Sequence, residues 1–136
     1  MSYFRKNIDE MAGYTPGFQP GGGKVVKLNT NENPYPPSQQ VMDAIRNIDP
    51  DALRRYPQPL ADTFRKAAAD VLDVDPDNII PTNGGDDLLT ICFRAFCDSR
   101  RHAAFAGPTY SLYPVLAKLQ TCEIKEIPFS DDLSLP

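Results

Sequence analysis

Residues 78–129 read NIIPTNGGDDLLTICFRAFCDSRRHAAFAGPTYSLYPVLAKLQTCEIKEIPF, and the order of apolar runs and turns in this stretch decides the fold. Asn78 to Pro81 is a short run expected to be a strand. Thr82-Asn83-Gly84-Gly85-Asp86-Asp87 follows as a turn, and residues 86–97, apolar on most sides, are predicted as a buried helix. His102 to Ala106 is a second strand and Gly107-Pro108-Thr109-Tyr110 a second turn. Residues 111–120 carry Leu112, Val115, Leu116 and Leu119 along one helical face, and Glu123 to Phe129 is a third strand. Strands that alternate with helices indicate an α/β domain with a largely parallel sheet.

Upstream, the clearest amphipathic helix spans residues 60–72, where Leu60, Phe64, Ala67, Ala68, Val71 and Leu72 recur at helical spacing. Before it, Asp49 to Pro59 reads as a loop around Arg54-Arg55-Tyr56-Pro57. Ser38 is placed to cap a helix over residues 39–48, with Val41, Ala44, Ile45 and Ile48 on its apolar face. Val25 to Leu28 is a strand candidate that runs into Asn29-Thr30-Asn31-Glu32-Asn33-Pro34-Tyr35-Pro36-Pro37, a proline-punctuated stretch with no regular structure. Residues 3–12 suggest a short helix with Phe4, Ile8 and Met11 on one side, and Gly13 to Gly23 a turn-rich arm. The resulting division is an arm and loop over 1–37, a helical segment over 38–74, and the start of an α/β domain over 75–136. Three late strands are fewer than the usual sheet of about 4–6, so the architecture is expected to be incomplete at residue 136.

The composition is that of a globular protein with a formal net charge of −4. Nucleic acid and anionic membrane surfaces call for basic patches, so neither is an expected partner. No run approaches the roughly 20 apolar residues of a membrane span. Arg5, Lys6, Asp9 and Glu10 interrupt the N-terminal region where a secretory leader would need an apolar core. The three cysteines, Cys92, Cys97 and Cys122, cannot all pair. They read as structural thiols of a reducing compartment, which places the chain in the cytoplasm.

The strongest chemical signal is Asn83-Gly84-Gly85-Asp86-Asp87. It follows an expected strand and opens a helix, whose first N–H groups have no internal acceptor and whose dipole favours an anion such as phosphate. The same letters also fit a plain turn with two acidic residues at a helix start. Tyr110 follows the next strand on the same sheet edge, where open α/β sheets bind ligands; its ring suits a flat phosphorylated molecule, and equally a packing role. Arg54 and Arg55 are anion-binding or solvated. His102, the one histidine, reads as exposed. No cluster has metal-ligand spacing, and no serine or cysteine has a base partner for triad chemistry.

Taken in order, Tyr14-Thr15-Pro16-Gly17, Leu28-Asn29-Thr30-Asn31-Glu32-Asn33-Pro34-Tyr35-Pro36-Pro37-Ser38, Leu53-Arg54-Arg55-Tyr56-Pro57, Asn83-Gly84-Gly85-Asp86-Asp87, Arg94-Ala95-Phe96 and Pro108-Thr109-Tyr110-Ser111-Leu112-Tyr113 resemble the N-terminal portion of the histidinol-phosphate aminotransferases. These belong to the fold-type I enzymes that depend on pyridoxal 5'-phosphate. The resemblance implies the start of a fold-type I α/β large domain, preceded by an N-terminal arm. It implies cofactor contacts at Gly84, Gly85, Asp86 and Tyr110, and at Tyr56 from the other subunit of a homodimer. It implies substrate-side contacts at Tyr14 and Asn31. The substrates would be histidinol phosphate and imidazole acetol phosphate, with glutamate and 2-oxoglutarate as the partner pair. A threonine-phosphate decarboxylase, an aromatic aminotransferase or a non-catalytic phosphate-binding module are the alternatives.

The sequence departs from the family pattern at several points, one of them Gly107, which replaces a residue that is often acidic or polar. Gly85 and Asp87 stand where the family usually has serine or alanine and a glutamate; the backbone donors survive both changes. None of Lys6, Lys24, Lys27, Lys66, Lys118 or Lys125 stands in the Ser-Lys context of the family's cofactor-bearing lysine. No catalytic residue is therefore expected among these residues, and no transamination by them alone.

Overall fold

The computed structural model describes residues 1–136. Six helices and two strands follow one another as α1 (Lys6–Asp9), α2 (Gln39–Arg46), α3 (Pro50–Leu53), α4 (Asp62–Leu72), α5 (Gly85–Phe96), β1 (Ala103–Gly107), α6 (Leu112–Leu119) and β2 (Ile124–Pro128), with a 3-10 turn at Pro76–Asn78. β1 and β2 pair in parallel, from Ala103 opposite Ile124 to Gly107 opposite Pro128. Helix α6 makes the crossover between them, so this is the βαβ unit that the alternating pattern of the sequence predicts.

The helix starts follow from local chemistry. The Ser38 hydroxyl accepts from the Val41 N–H and caps α2. Asp49 accepts from the Asp51 N–H, with Pro50 in the first turn of α3. Helix α4 ends at Asp73 in the left-handed region, φ 53°, and the Val74 N–H bonds back to the Ala69 carbonyl. Arg65 projects from α4 and fastens it to the 3-10 turn. Its Nε donates to the carbonyls of Pro76 at 2.9 Å and Ile79 at 3.2 Å, and its guanidinium reaches Asp77 at 2.7 Å. That anchor fixes where the chain enters the Thr82–Asp87 turn.

Several expectations change. Asn78 to Pro81 is not a strand: Ile79 is extended, but no second strand lies alongside it and Pro81 has no N–H to donate. Val25 to Leu28 also has no pairing partner, and Val25, Val26 and Leu28 stay exposed. The N-terminal helix is one turn, Lys6–Asp9, and the expected loop after Asp49 contains α3. Helix α5 buries no residue completely; Ile91 and Phe96 face solvent. Its apolar surface exceeds what α6 and β1 can cover.

Burial is sparse throughout. Ala69, Leu112, Leu116, Ala117 and Cys122 form the buried apolar set, and 6 of 136 residues are buried in all. Beside that set, Phe93, Phe105, Tyr110 and Tyr113 make a run of aromatic contacts with centroids 5.5–6.4 Å apart. The accessible surface is 11866 Å². A compact 15.1 kDa monomer would expose about 7,100 Å². No helix is long and apolar enough to cross a membrane.

Candidate cofactor and substrate site

The chain reaches the site through Gly84, whose φ of 83° and ψ of 175° suit glycine. Helix α5 begins at the next residue, so the N–H groups of Gly85, Asp86 and Asp87 lack intrahelical acceptors. No other protein group takes these three donors. A Cβ at Gly84 or Gly85 would meet no atom within 4 Å, so the space in front of the helix end is open. The Asp87 carboxylate turns back to accept from the Asn83 N–H at 3.3 Å, and the Thr82 hydroxyl donates to the Gly84 carbonyl. The turn is thereby held from both sides while its amides stay free.

Tyr110 stands just beyond the carboxyl end of β1, and the fold brings it to this turn. Its hydroxyl donates to the two carboxylate oxygens of Asp86, at 3.2 and 3.3 Å. Tyr14 arrives from the N-terminal arm, with its hydroxyl 3.4 Å from that of Tyr110 and its ring edge-on, centroids 6.1 Å apart. The hydrogen bond with Tyr14, desolvation and the Asp86 carboxylate together push the Tyr110 phenol well above its ordinary pKa. Tyr110 therefore stays a neutral hydrogen-bond donor at physiological pH.

Tyr14, Gly17, Asn29, Thr30, Asn31, Tyr110 and others line a cavity of about 510 Å³, within the range of small-molecule sites. Its floor is unusual backbone: Thr30 and Asn31 are consecutive left-handed residues, with φ of 66° and 51°. That conformation is costly for a β-branched residue. Surrounding bonds hold it. Asn29 Nδ2 donates to the Phe18 carbonyl at 3.1 Å, and Lys27 donates to Gln19 and to the Glu32 carboxylate. The Lys27 bond draws the Glu32 carboxyl below its usual range. Gly17 lies so close that a Cβ would stand 3.1 Å from Asn29 Nδ2.

Of the residues singled out in the sequence, Tyr14, Asp86 and Tyr110 are brought into contact. Asn31 lines the same cavity as Tyr14 and Tyr110, and Gly84 and Gly85 open the helix that carries Asp86. Tyr56 is apart from them, fully exposed after α3. Its loop is closed on itself, because Arg54 pairs with Asp51 through Nε at 3.0 Å and Nη2 at 3.1 Å, and lowers the Asp51 pKa. This pairing occupies Arg54, and Arg55 is bonded to the Asp51 carbonyl. A larger cavity, about 620 Å³, is lined by Pro57, Leu60, Arg65, Ile79, Asn83 and Asp87 among others. Its one cation, Arg65, is already bonded to the carbonyls of Pro76 and Ile79 and paired with Asp62 and Asp77. His102 is exposed and 3.7 Å from Glu123, and the three cysteines are unpaired.

Sequence reasoning missed the side chain of Asp86 as the partner of Tyr110, and missed Gly17, Asn29 and Thr30 as cavity walls. The Thr-Pro-Gly turn and the run Asn29-Thr30-Asn31 were the available signals, since asparagine tolerates the left-handed region.

The model of the family "Aminotransferase class I and II" matches residues 23–135. The chain belongs to this family. Within it, relatives carrying the name histidinol-phosphate aminotransferase align over nearly all of these residues. "Histidinol-phosphate aminotransferase 1" of Trichormus variabilis is 47% identical over 99% of the chain and 39% of the relative. The protein of the same name from Nostoc sp. is 46% identical over 99% of the chain and 38% of the relative. "Histidinol-phosphate aminotransferase" of Rhodopirellula baltica is 41% identical over 98% and 37%. The chain thus spans less than two fifths of the length of these relatives.

Proposed function

We propose that these residues supply the phosphate and ring contacts of a pyridoxal 5'-phosphate site in an aminotransferase that acts on histidinol phosphate and 2-oxoglutarate in the cytoplasm. The observation that carries this reading is the meeting of Tyr14, Tyr110 and Asp86 beside three unsatisfied N–H groups at the start of α5. The residues fit the group: an open, glycine-lined donor cluster for a phosphate, and an aromatic ring hydrogen-bonded to the same helical turn. When bound, the cofactor supplies an electron-withdrawing ring that carries the amino group.

The chain's own part is binding and orientation. The Gly85 and Asp86 N–H groups donate to the phosphate, with the dipole of α5 behind them. The Tyr110 ring covers one face of the cofactor. Its hydroxyl, kept protonated, remains tied to Asp86, which sets the ring against the phosphate end. Tyr14 and Asn31 meet the substrate across the cavity floored by Thr30. Tyr56, exposed and free of its own subunit's site, reaches the cofactor phosphate of the second protomer in a homodimer. Residues 1–37 serve as arm and substrate loop, 38–74 lead into the large domain, and 75–136 begin it. The lysine that carries the cofactor is not among these residues, so the 136 residues alone transfer no amino group.

The encoded polypeptide is tested by following glutamate formation from 2-oxoglutarate with histidinol phosphate and, in parallel, with phenylalanine, and by following carbon dioxide release from threonine phosphate. Turnover fastest with histidinol phosphate is expected if the reading frame continues through a Ser-Lys motif. A continuing frame with that motif and no turnover on histidinol phosphate contradicts the assignment.

A further inference from the structure

The N-terminal segment is tied to α6 at both ends. At one end, Asn7 Nδ2 donates to the carbonyls of Lys118 at 3.2 Å and Leu119 at 3.5 Å. These are the last two carbonyls of the helix. The Lys118 carbonyl also takes the Thr121 N–H, whereas no backbone N–H reaches that of Leu119. Asn7 thus fills an acceptor that the helix end leaves open. Ile8 and Met11 are half-buried beside it, and Asn7, Met11, Thr121 and Cys122 share one small cavity. At the other end, Tyr14 meets Tyr110, two residues before α6 begins. The segment therefore runs antiparallel to the helix, from its carboxyl end to its amino end. Helix α6 is about 12 Å long, and seven residues span at most about 25 Å, so the strap reaches Tyr110 with slack. Slack means that the span alone does not set where Tyr14 lands; the anchor does.

We propose that Asn7 is a positioning residue: by capping the carboxyl end of α6 it sets the register of the N-terminal strap and so delivers Tyr14 to Tyr110 and Asp86. Asn7 touches neither cofactor nor substrate and acts through Tyr14. The role of that contact in binding rests on the function proposed above, whereas the docking itself does not.

The docking can be read without cofactor or turnover. Brief photo-oxidation couples neighbouring tyrosine rings, and peptide mass spectrometry identifies the joined pair. Mixing isotopically light and heavy chains separates intramolecular from intermolecular links. The Tyr14–Tyr110 link is the signal, and the Tyr110–Tyr113 link, centroids 6.2 Å apart, is the internal reference. Asn7→Ala removes the donor, and Asn7→Asp keeps the shape but replaces the donor with an acceptor facing two carbonyls. Two neutral hydrogen bonds, one of them long, favour the docked strap on the order of tenfold. Both variants are expected to lower the Tyr14–Tyr110 yield by that factor relative to Tyr110–Tyr113. An unchanged ratio in both would overturn the proposal. Loss of both links in both variants would overturn it too, since Asn7 would then hold the helix packing rather than place the strap. If the ratio falls as expected while pyridoxal phosphate shifts amides elsewhere and leaves those of Gly85 and Asp86 unmoved, the strap stands and the proposed phosphate site fails.

Discussion

Gly85→Pro isolates one donor of the proposed phosphate cup. Gly85 is the first residue of α5, where a proline is tolerated because its φ suits a helix and the missing N–H has no helical acceptor. Gly84 before it has ψ of 175°, an extended value compatible with a following proline. The substitution should leave the helix standing and delete one hydrogen bond to a charged phosphate. Such a bond contributes about 1.5–3 kcal/mol, so pyridoxal phosphate should bind roughly 10–150-fold more weakly. Gly85→Ala is the companion. Its Cβ would meet nothing within 4 Å and its N–H remains, so its affinity should stay within about threefold of the parent, an effect below 1 kcal/mol. Equilibrium dialysis of the polypeptide that includes the cofactor lysine gives both affinities, and circular dichroism verifies the helix. Equal affinities for the proline and alanine variants, with helix content preserved, would refute the assignment of this N–H to the phosphate.

Three further outcomes are expected. Arg65→Met strips two carbonyls of a charged donor, and the loss is about 2 kcal/mol because the ion pairs with half-buried Asp62 and exposed Asp77 add little; hydrogen exchange at Asn78 and Ile79 should accelerate roughly 30-fold, and unchanged exchange counts against the anchor. The 11866 Å² of accessible surface exceeds a compact monomer's by about 4,800 Å². The isolated chain should therefore self-associate or unfold without cooperativity, and a monomer by sedimentation with one sharp thermal transition would contradict this. For Tyr56, in the full-length enzyme that carries the cofactor lysine, re-associating Tyr56→Phe dimers with dimers that lack that lysine should restore activity in the hybrid, because one of its two shared sites is then intact. Hybrid formation without recovered activity would confine Tyr56 to its own subunit.

What the sequence made legible was whatever local chemistry decides. The cap at Ser38, the 3.6-residue period over Phe64 to Leu72 and the turn-to-helix switch at Gly84-Gly85 are written in neighbouring residues, and those helices stand within a few positions of expectation. Strands are harder because a strand exists only against a partner: Ala103–Gly107 finds Ile124–Pro128, whereas Asn78 to Pro81 and Val25 to Leu28, similar in letters, find none. The apolar character of α5 suggested burial, yet burial depends on what covers the helix. The candidate site was legible as a set of residues but not as contacts. Nothing in local pattern joins Tyr14 to Tyr110 across 96 positions, or shows that the Asp86 carboxylate, and not only its backbone, takes part. The left-handed Thr30 was equally hidden, since its neighbours Asn29 and Lys27 are bonded to Phe18 and Gln19 of the arm, far from it in local pattern.

We propose that the start of α5 binds the phosphate of pyridoxal phosphate. The most direct measurement is ¹⁵N–¹H amide spectroscopy of the dilute chain, titrated to about 10 mM, a range that registers binding as weak as roughly −3 to −4 kcal/mol. Pyridoxal phosphate is compared with pyridoxal, which lacks the phosphate. The expected result is a saturable shift of the Gly85 and Asp86 amides with pyridoxal phosphate and not with pyridoxal. Equal shifts from both compounds, or shifts elsewhere while Gly85 and Asp86 stay unmoved, would contradict it.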